Sequence, residues 1–135
     1  MSKYGNKKCE LDGIKFDSMM ERNYYVELKH QKEKGTIMDF ELQPKFLLQP
    51  KFKKHGKSYR EINYVADFAI ITNDNKKIIV DVKGFKTTEF KLKEKMFEYN
   101  YPELKLICVT YVKKYGGWIS LEELTKLRKE NRRSK

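Results

Sequence analysis

The chain has 135 residues, close to one ordinary domain and too short for two with separate cores. Leu, Ile, Val and Phe number 34, about a quarter of the chain, which excludes a disordered polyelectrolyte and permits a modest core. The 30 Lys and Arg against 19 Asp and Glu leave a net charge of +11, with 25 lysines spread along the whole length, and this balance points to a polyanionic partner.

No stretch approaches the roughly 18 apolar residues of a membrane span, and Met1-Ser2-Lys3 is not followed by an apolar signal region. A soluble protein of the cytoplasm is expected. Cys9 and Cys108 lie far apart with no Cys-x-x-Cys pair, and only His30 and His55 could join them as soft ligands. Zinc and disulfide frameworks are therefore not expected, and both cysteines read as small buried or half-buried thiols.

In chain order, residues 1–16, with Tyr4, Lys7 and Lys8, read as a basic arm or a short strand pair. Ser18-Met19-Met20-Glu21 has the spacing of a capping box and Gly35 is a natural helix stop, so the pattern predicts a helix over 18–34. Residues 36–42 alternate, with Met38, Phe40 and Leu42 on one side, and predict a strand that Pro44 interrupts. Residues 45–60 mix Phe46, Leu47, Leu48 and Phe52 with lysines around Gly56, which suggests a short hairpin with a basic tip.

Residues 61–72 and 76–83 are rich in Ile, Val and Phe and flank Asn73-Asp74-Asn75, so they predict a second hairpin. Thr87 or Thr88 caps a helix that ends near Asn100, before Pro102; residues 104–112 predict a strand; Ser120-x-x-Glu123 opens a last basic helix over about 120–135. Tyr115-Gly116-Gly117-Trp118 reads as a loop available to DNA or to a second copy. A meander, a helix and a further strand predict an α/β domain with a mixed central sheet flanked by helices, its last strand reaching the sheet edge by a crossover.

Asp67 and Asp81 sit in otherwise apolar strand patterns, and a buried carboxylate costs several kcal/mol unless it is paired or bound to metal. If Asn73–Asn75 form a three-residue loop, paired positions sum to 148 and Asp67 lies across from Asp81, with Lys83 on the same face. Facing carboxylates repel unless a cation sits between them, and hard oxygens select Mg2+ or Mn2+. The Val82 carbonyl is a candidate third ligand, and Lys83 is placed to polarise a water or hold a phosphate oxygen. A simple cross-strand Asp-Lys pair is the alternative.

On a helical wheel Glu21 falls within the stripe of Met20, Tyr24, Tyr25 and Leu28, so its carboxylate faces the core unless it is spent on the capping box. In the second helix Phe90, Leu92, Met96 and Phe97 bracket Lys93, whose amine either points toward the sheet or snorkels to solvent.

An acid on a first helix, an acid ending one strand and Asp-x-Lys on the next resemble the PD-(D/E)XK nuclease superfamily. The motif residues are Glu21, Asp67, Asp81 and Lys83. Phe16-Asp17-Ser18, Glu41-Leu42-Gln43-Pro44-Lys45-Phe46, Tyr64-Val65-Ala66-Asp67-Phe68, Asp81-Val82-Lys83-Gly84 with Thr87, and Lys91-Leu92-Lys93 are similar to a phage-encoded branch described as resembling endonuclease-I-type Holliday-junction resolvases. The resemblance spans about residues 4–112, and Ala66 stands where the superfamily is named for proline.

The resemblance implies a restriction-endonuclease-like αβββαβ core and phosphodiester hydrolysis of duplex or branched DNA in phage recombination or processing. Asp67 and Asp81 would hold Mg2+, with Mn2+ able to substitute, Glu21 would be an added ligand or water-orienting acid, and Lys83 would stand beside the attacking water. Lys53, Lys54, Lys86 and Lys93 are the candidate DNA contacts. The competing expectation is a non-catalytic basic DNA-binding module on the same fold; charge alone would also suit an RNA-binding protein. A homodimer is compatible with either.

Overall fold

In a computed structural model of the protein, which describes residues 9–133, the chain enters through a hairpin of β1 (Cys9–Leu11) and β2 (Ile14–Phe16). This is a strand pair of the kind expected within 1–16; Tyr4, Lys7 and Lys8 lie outside the described residues. Helix α1 (Met19–Lys34) starts where the capping signal predicts, with Ser18 Oγ accepting the Glu21 N–H at 3.1 Å. It stops at Gly35, whose φ of 78° is a left-handed conformation that a side chain would oppose.

The first expected strand is shorter than its pattern. It forms only as β3 (Asp39–Leu42), and Met38 and Leu42 are exposed while Phe40 packs on the core. The hairpin expected over 45–60 is longer than predicted. It is a ribbon with a base of β4 (Lys45–Gln49) against β7 (Ile62–Val65) and a tip of β5 (Phe52–Lys54) against β6 (Lys57–Tyr59).

The strand expected over 61–72 breaks in two. β7 pairs with β4, whereas β8 (Phe68–Ile71) pairs with β3 on one side and β9 (Lys77–Val82) on the other. The break falls at Ala66-Asp67 and is matched by Gln43-Pro44: the Gln43 N–H donates to the Asp67 carbonyl at 2.9 Å, and the Ala66 N–H donates to the Pro44 carbonyl at 3.0 Å. Two backbone bonds thus seal the bend where the ribbon leaves the sheet.

Thr87 Oγ accepts the Phe90 N–H and caps α2 (Thr88–Asn100), which crosses over to β10 (Lys105–Val112), parallel to β9. β10 is not the edge that was expected. After one 3₁₀ turn at Lys113–Tyr115, β11 (Gly117–Ser120) pairs antiparallel with β10, so Gly117 and Trp118 belong to a strand rather than to a free loop. Ser120 Oγ accepts the Glu123 N–H at the start of α3 (Leu121–Arg133).

The central sheet is mixed, in the order β11-β10-β9-β8-β3, and the fold is α/β as predicted. Period-two alternation sends Phe68, Ile70 and Val80 to the α1 face, where they bury Tyr24, Tyr25 and Leu28. Ala69, Ile79 and Cys108 face α2, under Phe90 and Phe97. Each large side chain so enclosed contributes roughly 1.5–3 kcal/mol. Leu92, expected beside them, is 60% exposed because it falls on the outer side of α2.

The ribbon base is fastened to α2. Phe46 and Tyr64 pack on Phe97 with ring centroids at 5.0 and 5.7 Å, and Asn100 Nδ2 and Tyr101 OH donate to the Leu48 and Leu47 carbonyls. Both cysteines are free thiols, Cys9 half-buried and Cys108 buried. No helix among the described residues is long and apolar enough to cross a membrane.

Candidate active site

Asp81 lies near the end of β9, and Lys83 follows it two residues on, so both face α2. The Asp81 side chain is enclosed: the residue is 3% exposed, and the Tyr64 hydroxyl donates to its Oδ2. Lys83 Nζ stands 3.9 Å from Asp81 Oδ1 and 4.2 Å from the centroid of the Phe90 ring. Burial pushes the Asp81 carboxyl up to about 6; Lys83 pulls the other way and Glu94 adds repulsion.

The register of β8 and β9 follows the 148 rule, with Phe68 opposite Val80 and Ile71 opposite Lys77. Asp67 and Asp81 fall one step beyond the last of these pairs, at the open end of the hairpin. Asp67 is therefore not inside a strand, as expected, but in the break between β7 and β8. One oxygen of its carboxylate accepts the Val82 N–H at 2.8 Å. Burial raises its pKa even though the Val82 N–H and the Lys83 charge favour ionisation.

Glu21 reaches this end of the sheet from the first turn of α1 and is 6% exposed. Its backbone serves the cap on Ser18, while its carboxyl turns to Asp67 as a side-chain hydrogen-bond partner. Burial first, then the charges of Asp67, Asp17 and Asp81, push the Glu21 carboxyl up to about 8. The structure thus brings Glu21, Asp67, Asp81 and Lys83 together, with Lys83 acting on both aspartates.

A groove of about 290 Å³ opens over Asp81, lined also by Asn63, Tyr64, Lys83, Phe90 and Lys93. Lys93, on the rim of this groove, is half-buried, and its amine is 3.8 Å from the exposed Glu89. Lys53 and Lys54 lie apart from the groove, exposed on the ribbon tip. Lys86 turns away toward Glu94, which it pairs with at 2.9 Å, and toward Leu121 and Glu122.

Two residues of the cluster were given no role from sequence. Asp17 raises both Glu21 and Asp67, and Tyr64 holds Asp81. A polar residue next to the Ser18 cap was visible; the reach of Tyr64 depends on the break between β7 and β8, which was not.

Three carboxyls at this end of the sheet are lifted above their ordinary range, and a hard divalent cation among them would relieve the burial and repulsion that lift them. Asp81 commits Oδ2 to the Tyr64 hydroxyl and faces Lys83 with Oδ1, while Asp67 commits one oxygen to the Val82 N–H and partners Glu21. The Val82 carbonyl sits between Asp81 and Lys83 in the chain, and its own N–H is what orients Asp67. Among the described residues no group of three His, Cys, Asp or Glu side chains stands in a ready metal-holding arrangement, so an ion would have to draw the acids together.

No curated protein matches the chain. A family model described as a protein of unknown function, DUF1064, matches residues 1–117, a span that takes in every element from β1 to the start of β11 and all four candidate catalytic residues. The chain belongs to the DUF1064 family.

Proposed function

We propose that this protein is a metal-dependent endodeoxyribonuclease. The observation that carries the reading is the meeting of Glu21, Asp67 and Asp81 with Lys83 at one end of the sheet, on a strongly basic protein. Asp67 and Asp81, with the Val82 carbonyl, would hold Mg2+ or Mn2+, which when bound supplies Lewis-acid activation of a phosphodiester. Lys83, steadied between Asp81 and the Phe90 face, places a positive charge beside the attacking water and the phosphate oxygens. Glu21, with its raised pKa, is suited to hold and release a proton at that water. Lys93 borders the groove and offers a phosphate contact.

The sequence resemblance adds structure-selective cutting of Holliday junctions or other branched DNA, or nicking, as the activity, and phage recombination or processing in the host cytoplasm as the setting; a homodimer is compatible with this reading. Incubation with a four-way junction, a linear duplex and supercoiled plasmid, in Mg2+ or EDTA, tests the activity, its metal dependence and the DNA preference. Cleavage in Mg2+ alone is expected. A protein that binds these DNAs yet cuts none of them in Mg2+ or Mn2+ is instead a non-catalytic binding module.

A further inference from the structure

The ribbon tip carries the observation left over. All six residues of β5 and β6 are exposed, so nothing in this fold covers them. Phe52 and Tyr59 are cross-strand partners whose rings lie flat on each other, with centroids 4.7 Å apart and an interplanar angle of 7°. Large aromatic faces left 44% and 40% exposed on a two-stranded tip contribute little to the core.

Lys54 and Lys57 are also direct partners, and alternation puts them on the same face as the stacked rings. Like charges placed opposite each other destabilise a hairpin. Lys29, Lys32, Lys77 and Lys86 have carboxylate partners, whereas among the described residues none of Lys51, Lys53, Lys54 and Lys57 forms an ion pair. The tip therefore presents rings framed by uncompensated positive charge, which an apolar protein surface would not match and a polyanion would.

Its geometry is preset. His55 and Gly56 both have positive φ, 50° and 75°, the two-residue turn whose twist suits a hairpin and locks the register. The ribbon base is tied to α2 through Asn100 and Tyr101, and β7 runs from the tip toward Tyr64 in the groove. Five residues at roughly 3.3 Å each give at most about 17 Å between Tyr59 and Tyr64. At the roughly 3.4 Å per nucleotide of a stacked strand that is a span of no more than about five nucleotides.

We propose that the Phe52–Tyr59 stack, with Lys54 and Lys57, is a platform for the unpaired bases of a DNA strand, gripping it within about five nucleotides of Tyr64 at the groove. Stacking needs an exposed base face, which a closed duplex hides and a single strand, flap or opened branch supplies. That the strand is DNA rests on the nuclease reading; the platform itself rests on the tip.

Fluorescence anisotropy in EDTA, with the full chain, compares a labelled oligo-dT with an abasic strand of equal length and charge. The wild type is expected to bind oligo-dT about tenfold more tightly. The F52A/Y59A variant should lose that preference while holding the abasic strand within about twofold, and F52Y/Y59F should keep it. Circular dichroism checks that each variant is folded.

Equal binding of the two strands by the wild type, no binding of either, or a preference that survives F52A/Y59A overturns the proposal. So does a wild-type dimer that F52A/Y59A dissociates, since a second copy would then be the occupant. Because no divalent ion is present, the measurement is independent of cleavage. A base preference in a protein that never cuts removes the nuclease reading and leaves the platform; cleavage without a base preference does the reverse.

Discussion

The carboxylate of Asp67 accepts a hydrogen bond from the backbone N–H of Val82 at 2.8 Å, across the open end of the β8–β9 hairpin. The acid thereby closes a ladder that the break at Ala66-Asp67 would leave short. Asp67→Asn keeps an oxygen for that N–H and loses the charge, so cleavage in Mg2+ should fall about a hundredfold or more while thermal stability changes little. Asp67→Ala should lose both, with a further cost of about 1–3 kcal/mol for the orphaned N–H. Equal stability of the two variants would contradict the structural half of this role.

Asp81 and Lys83 separate by their effects on metal. Asp81→Asn removes a negative ligand, so calorimetry should show weakened Mg2+ binding, while DNA binding in EDTA holds steady or strengthens as repulsion of phosphate falls. Lys83→Ala leaves the carboxylates and should bind Mg2+ without hydrolysing DNA. Wild-type cleavage rates in either folded variant would move the active site elsewhere.

The pH dependence of stability has a definite sign. Glu21 is raised from 4.5 to about 8 and Asp81 from 3.8 to about 6, so the folded protein holds protons that the unfolded chain has released. The stabilising contribution is complete below the ordinary carboxyl range and is lost as pH climbs through about 6 and then about 8. In EDTA the thermal midpoint should drop from about pH 5 to about pH 9, an effect on the order of a few kcal/mol. Glu21→Gln should flatten the upper part of that drop, and excess Mg2+ should oppose it, because the ionised form binds the metal. A midpoint that rises over this window in EDTA would refute the arrangement of charges.

Tyr64 holds the second oxygen of Asp81 and packs on Phe97 in the same stroke. Tyr64→Phe keeps the ring and removes the donor, so a loss of about 1–3 kcal/mol and a higher Mg2+ requirement for cleavage are expected. Unchanged stability together with unchanged Mg2+ dependence would show that the hydroxyl is idle.

Local signals in the sequence carried the helices and the 148 register. Ser18, Gly35, Thr87 and Ser120 act through bonds to near neighbours, and Asn73–Asn75 fix the hairpin from within three residues. What the sequence concealed is non-local. Residues 61–72 look like one strand because Ile62, Tyr64, Phe68 and Ile70 are all apolar, and only pairing with β4 and β3 shows that the chain changes partner at Ala66-Asp67. β11 was hidden because Gly116 and Gly117 read as a loop, whereas β10 offers an edge that draws Trp118 and Ile119 into pairing. Lys86 is only a charge in the sequence; its partner Glu94 lies a helix turn and a loop away.

The bend at Ala66 leaves no place for a proline. The Ala66 N–H is spent on the Pro44 carbonyl and its side chain is 1% exposed, so a pyrrolidine ring there would cancel a donor and find no room. Ala66→Pro is expected to cost about 3 kcal/mol or more, read as a fall in the urea midpoint. The position before Asp67 is thus held to residues that keep their N–H, because this donor seals the exit of the ribbon from the sheet.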